Sequence, residues 1–118
     1  MKLNTRLHSR IRFKTWVKVI PQQGPGLLSN IEDISTSGLG IEHDRVIQTE
    51  VDCHVYFMLP LNGRENIVQA RCRIASCRPA ELAGRFHIGL AFLDFVSEPR
   101  STAELIESFI RHVEQTAG

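Results

Sequence analysis

Three stretches of this chain alternate apolar and polar residues too long and too regularly to be helical. In "VDCHVYFMLP" (51–60), Val51, Cys53, Val55, Phe57 and Leu59 fall on one face, with Asp52, His54, Tyr56 and Met58 on the other. In "NIVQARCRIASC" (66–77), Val68, Ala70, Cys72 and Ile74 alternate with Gln69, Arg71 and Arg73. In "FHIGLAFLDF" (86–95), Phe86, Ile88, Leu90 and Phe92 share a face. A period of two is the geometry of a strand with one wet side, and it calls for an antiparallel sheet. The "LNGRE" between the first two stretches carries an Asn-Gly turn signal. Upstream, "TWVKVI" (15–20) is rich in strand formers and stops at Pro21, followed by the loop "QQGPG". "LLSNIEDIS" and "GLGIEH" then read as a hairpin. Only the C-terminus changes period. Leu105, Ile106, Phe109, Ile110 and Val113 fall on one helical stripe, behind a capping box at Ser101-Thr102-Ala103-Glu104. The expected fold is all-β dominated: about six antiparallel strands in a small barrel, with one C-terminal helix (about 101–115) against it.

With 118 residues the chain is one domain by length and can bury a real core. A net charge of +1 names no partner in bulk, but the charge is unevenly placed. Residues 1–31 hold no Asp or Glu, yet carry Lys2, Arg6, Arg10, Arg12, Lys14 and Lys18. Residues 1–14 therefore read as a flexible basic arm and 15–118 as the barrel with its helix. The three cysteines, Cys53, Cys72 and Cys77, form no CxxC pair and lie in apolar segments. Reduced thiols in a cytoplasmic protein are the simplest account. No apolar run is long enough to span a bilayer, and "MKLNTRLHSR" lacks the apolar core of a signal peptide.

The nucleophile, Walker, GxGxxG and HExxH patterns are missing, and the five histidines show no metal spacing, so neither catalysis nor a metal is expected. Two short patterns stand out. "RLHSR" sets Arg6 and Arg10 four apart, with Arg12 two further on. "DISTSG" spends an acid, three hydroxyls and a glycine in six positions, at Asp33, Ser35, Thr36, Ser37 and Gly38. A tight turn needs fewer. Alternation puts Asp33 and Ser35 on the same face of their strand, and Gly38 is expected to supply backbone freedom.

In this order and separation, RxxxR followed by Asp-x-Ser-x-x-Gly resembles the PilZ domain family, bacterial receptors for cyclic di-GMP. "HIGLAF" (87–92) looks like that family's late Gly-apolar-x-Phe strand, and the terminal helix also fits. The resemblance runs from Arg6 to about Val113 and implies a stand-alone six-stranded PilZ-type barrel. It further implies cyclic di-GMP contacts at Arg6, Arg10, Asp33, Ser35 and Gly38, with Arg12 as an auxiliary. The chemistry is coherent. Arginine forks suit phosphate oxygens and the O6/N7 edge of guanine. A carboxylate complements the guanine N1–H and N2–H₂ donors. The implied role is a receptor that orders its arm on the ligand and signals to a downstream protein. No nucleic-acid polymer, membrane insertion or cofactor is expected. Two other classes compete. A PilZ-like adaptor that binds no nucleotide would show degraded motifs, whereas these are intact. A small nucleic-acid-binding barrel would want aromatic stacking groups on a basic face, and Trp16 is the only tryptophan.

Overall fold

The structure is a computed structural model that describes residues 11–96 and 98–117. Six strands follow one another along the chain: β1 (Ile11–Pro21), β2 (Leu27–Ser35), β3 (Gly38–His43), β4 (Asp52–Leu61), β5 (Arg64–Pro79) and β6 (Phe86–Phe95). A single helix, α1 (Pro99–Ala117), ends the chain. The strands close into an antiparallel barrel in the order β1-β2-β3-β6-β5-β4. Closure leaves no sheet edge exposed among the described strands.

The alternation seen in the sequence is the inside–outside pattern of this barrel. Cys53, Val55, Phe57 and Leu59 of β4 are buried, as are Val68, Ala70, Cys72 and Ile74 of β5 and Ile88 and Leu90 of β6. The Asn62-Gly63 turn joins β4 to β5 with both residues in the left-handed region. The α1 stripe puts Ile106, Phe109 and Ile110 into the same core. The helix covers the barrel end where β1 begins: the Phe13 ring meets Phe109 edge-on, with centroids 4.7 Å apart. Among the described residues no helix is long and apolar enough to cross a membrane.

Two expected boundaries move. The strand expected at Thr15 begins at Ile11, so residues 11–14 belong to β1 and not to the arm. Ile11 and Phe13 turn toward the core while Arg12 and Lys14 stay exposed, continuing the strand period. Arg6 and Arg10 lie outside the described residues. The helix starts at Pro99, ahead of the expected capping box. The Thr102 N–H already donates to the Glu98 carbonyl at 2.9 Å, so Ser101 and Glu104 are interior to the first turns. Proline at the first helical position gives up only an N–H that would have no helical partner.

Cys53 and Cys72 face each other across β4 and β5, both as free thiols. Burial, helped by the Asp52 charge, pushes the Cys53 thiol up to about 11, and burial pushes Cys72 up as well. The thiolate is the reactive form, so a maleimide at pH 7.5 should label half-buried Cys77 first. Cys53 and Cys72 should react only under denaturant, and rapid labelling of either would show that the barrel opens locally.

Candidate functional site

The β2–β3 hairpin is tighter than its sequence suggests. Only Thr36 and Ser37 form the turn; Asp33 and Ser35 are strand residues of β2, and Gly38 opens β3. Ser35 is buried, and its Oγ accepts the Ser37 N–H at 3.1 Å and shares a hydrogen bond with Ser37 Oγ at 2.9 Å. The Phe92 N–H of β6 donates to the Ser37 carbonyl at 2.9 Å and pins the turn to the next strand.

Gly38 is not left-handed, contrary to the expected role in backbone freedom. Its constraint is space: a Cβ there would collide with the Leu90 carbonyl oxygen. Ser35 and Gly38 thus both carry structural duties.

Asp33 has a different setting. The β2–β3 register slips between Ile31 and Asp33, making Glu32 an extra residue. The bulge lets Ile31 and Ile34, three apart, both enter the core. It leaves Glu32 and Asp33 as consecutive half-buried residues that line one trough.

That trough, about 390 Å³, follows one row of cross-strand partners: Arg12 of β1, Asp33 of β2, Gly40 of β3, Gly89 of β6 and Ser76 of β5. The two central positions carry no side chain. A Cβ on Gly40 would come within 2.6 Å of Asp33 Oδ1, and one on Gly89 within 2.6 Å of Ser76 Oγ. The result is a bare peptide floor between an acid and a hydroxyl, with Arg12 at the β1 side. Two residues along, a second row adds Glu42, His87 and Arg78. Of these, His87 and Arg78 line the trough, while Glu42 lines the adjoining depression with Glu32 and His87.

The second row is held by polar contacts. His87 Nδ1 lies 3.3 Å from Glu32 Oε1, and Arg85 Nε donates to Glu42 Oε2 at 3.1 Å. Burial first, then the hydrogen bond and charge of Glu42, holds the Glu32 carboxyl above the usual carboxylate range. The Arg85 hydrogen bond leads in holding Glu42 below it. Glu32, Glu42 and His87 bring their polar atoms within 4.8 Å of one another. Those atoms already face one another and Arg85, which makes the group a polar cluster closed on itself around the Arg85–Glu42 ion pair.

Arg71 and Arg73 belong elsewhere. Arg71 bonds Asp94 at 2.7 Å and Asp52 at 3.1 Å, and Arg73 reaches Glu50 and Asp52 at 3.5 Å. A separate depression of about 350 Å³ opens at the barrel end away from α1, between the β1–β2 and β3–β4 connections. Arg45 is the one charged residue among its described lining.

Of the five sequence-derived contacts, Asp33 lines the trough, Ser35 and Gly38 build the hairpin beside it, and Arg6 and Arg10 lie outside the described residues. Arg12, the auxiliary, is Asp33's cross-strand partner. Gly40, Gly89, Ser76, Arg78, Glu32 and His87 were not singled out as site residues. Their signal was available in part. Gly38, Gly40 and Glu42 alternate with Leu39 and Ile41, and His87 and Gly89 alternate with Ile88 and Leu90, so small and polar residues fill one face of two strands.

Comparisons with known proteins agree with this architecture. The sequence model of the PilZ domain matches residues 4–111. No curated protein matches the sequence. Among solved structures, the inhibitor of motility MotI (DgrA) of Bacillus subtilis superposes with a TM-score of 0.78 at 12% identity, over 96% of this chain and 53% of MotI. The chain thus spans about half of MotI. The PilZ domain of YcgR from Escherichia coli, solved with c-di-GMP, superposes with a TM-score of 0.67 at 16% identity, over 97% of this chain and 98% of that one. The PilZ domain of CeSA from a cellulose-synthesizing bacterium gives 0.54 at 20% identity, over 90% and 98%. At these identities the structural likenesses speak to fold, and the sequence match over most of the chain assigns the family: this protein is a member of the PilZ domain family.

Proposed function

We propose that the chain is a cyclic di-GMP receptor that reads the dinucleotide in the Arg12–Asp33–Gly40–Gly89–Ser76 trough. The observation that carries this reading is the trough itself, a side-chain-free floor with a carboxylate on one wall and arginines within reach. A flat base can lie close to bare peptide, and a carboxylate beside it accepts from guanine N1–H and N2–H₂. Arg6 and Arg10 close over the ligand from the arm, contacting phosphate or guanine through their planar forks. Ser35 and Gly38 contact the ligand at the hairpin end while keeping the structural duties described above. Arg12 and Arg78 add cationic contacts from the barrel. Ordering the arm costs about 1–2 kcal/mol per residue of backbone entropy, which a ligand bridging arm and barrel offsets. The closed arm then presents a new surface to a downstream protein in the cytoplasm. The protein acts by binding, with no chemical step.

Calorimetric titration tests this reading. The chain should bind cyclic di-GMP and discriminate against cyclic di-AMP, because adenine lacks the N1–H and N2–H₂ donors that the Asp33 carboxylate accepts from guanine. Asp33→Ala should lose about 1.5–3 kcal/mol of binding, roughly tenfold to more than a hundredfold. Equal affinity for the two dinucleotides would sink the role of Asp33.

A further inference from the structure

We infer that Glu32, Glu42 and His87 form a proton-binding cluster coupled to the trough, so that the dinucleotide binds with proton uptake and more tightly as pH falls from 8 to 6. This rests on the proposed site and concerns how that site is regulated.

The argument begins with charge. The described wall of the trough carries two arginines, Arg12 and Arg78, against two acids, Glu32 and Asp33, with His87 beside them. The barrel wall is thus near balance in charge, and a proton added to it strengthens the attraction that the arm's Arg6 and Arg10 and the wall's Arg12 and Arg78 exert on a ligand with two ionised phosphates. The β2 bulge is what puts the extra acid there, since Glu32 is the inserted residue.

The cluster then decides where a proton goes. Arg85 clamps Glu42 in its ionised form, and Glu42 in turn favours a proton on its hydrogen-bonded neighbour Glu32. His87 stands 3.3 Å from Glu32, and imidazole is the side chain that ordinarily changes charge between pH 5 and 8. The other charged groups facing the cluster are Lys14 and Arg12 from β1, Asp33 from β2, Arg78 from β5, and Glu81 and Arg85 from the β5–β6 connection. Phosphate charge brought alongside favours a proton on the cluster, because an anion stabilises the protonated form of a neighbouring acid or imidazole. By linkage, protons raise the affinity for phosphate by the same factor.

The test is calorimetric titration of the full chain with cyclic di-GMP at pH 6, 7 and 8, each in two buffers of different ionisation enthalpy. The parent should bind about fivefold or more tightly at pH 6 than at pH 8, with a buffer-dependent heat that reports proton uptake. The double variant Glu32→Gln/His87→Gln should bind with little pH dependence and no buffer-dependent heat. Parent binding that is flat in pH and takes up no proton overturns this inference alone. So does a double variant that keeps the parent's slope and proton uptake. No binding by the parent at any pH overturns the receptor reading, and this inference with it. The parent's buffer comparison needs no substitution, so it stands even if a variant misfolds.

Discussion

Phe109→Ala is expected to cost about 3–5 kcal/mol, the range for removing a buried aromatic from a packed core. Phe109 is 4% exposed, belongs to the single described core and meets the Phe13 ring edge-on. Domains of this size carry only about 5–15 kcal/mol in total, so one ring accounts for a large share. A midpoint fall of roughly 10–20 °C follows from usual unfolding entropies. The ring also touches the site at one remove. Phe13 stands next to Arg12 in β1, and Arg12 pairs with Asp33 across the sheet. The Phe13–Phe109 contact therefore fixes the strand that carries the trough's first cation. A double-mutant cycle with Phe13→Ala should give a coupling of about 0.5–1.5 kcal/mol beyond area burial. Exposed Glu107→Ala on the same helix should change the midpoint little. A Phe109→Ala variant with the parent's thermal midpoint would show that α1 is only appended to the barrel.

The same two rings show where the sequence was legible and where it was not. The strands were readable because inside and outside alternate through β4, through Val68–Ile74 of β5 and through Ile88–Leu90 of β6. The helix was readable because its stripe faces a single target. The start of β1 was not, because Ile11 and Phe13 are only two apolar positions in a basic stretch and their partner Phe109 lies nearly a hundred residues away. The helix start was missed because Ser-x-x-Glu fits a cap equally well when it lies inside a helix.

At the site, the motif residues marked the hairpin but left out the trough. Asp33 was recognisable as chemistry. Gly40 and Gly89 were not, since each is unremarkable alone and becomes a floor only when β3 and β6 pair them. Glu32 was hidden for another reason. Strict alternation gives consecutive residues opposite faces, and only the bulge brings Glu32 and Asp33 to one trough. No local signal announces such a bulge, because it is set by the need to bury both Ile31 and Ile34.

Two glycines two residues apart should fail in opposite ways. In Gly38→Ala the new Cβ meets Leu90 carbonyl oxygen, with Leu90 C at 3.0 Å and Ala91 Cα at 3.2 Å. All three are backbone atoms of β6, the strand paired directly with β3 in a closed barrel, so relief requires the strands to part. The expected cost is about 3 kcal/mol, near the upper end for overpacking, with a midpoint fall of roughly 10 °C. In Gly40→Ala the three atoms nearest the Cβ all belong to the Asp33 carboxylate, Oδ1 at 2.6 Å and Cγ at 3.0 Å among them. The clash is with a side chain and not with the backbone of a paired strand, so the cost should be smaller than for Gly38→Ala. The trough, however, loses both its bare floor and the placement of its acid. Cyclic di-GMP affinity should fall tenfold or more, which is about 1.4 kcal/mol. Thermal midpoints and calorimetric titration of both variants separate the two roles. A Gly38→Ala protein as stable as the parent would show that β3 and β6 have room to yield. A Gly40→Ala protein that binds like the parent would show that the ligand does not sit on the Gly40–Gly89 floor.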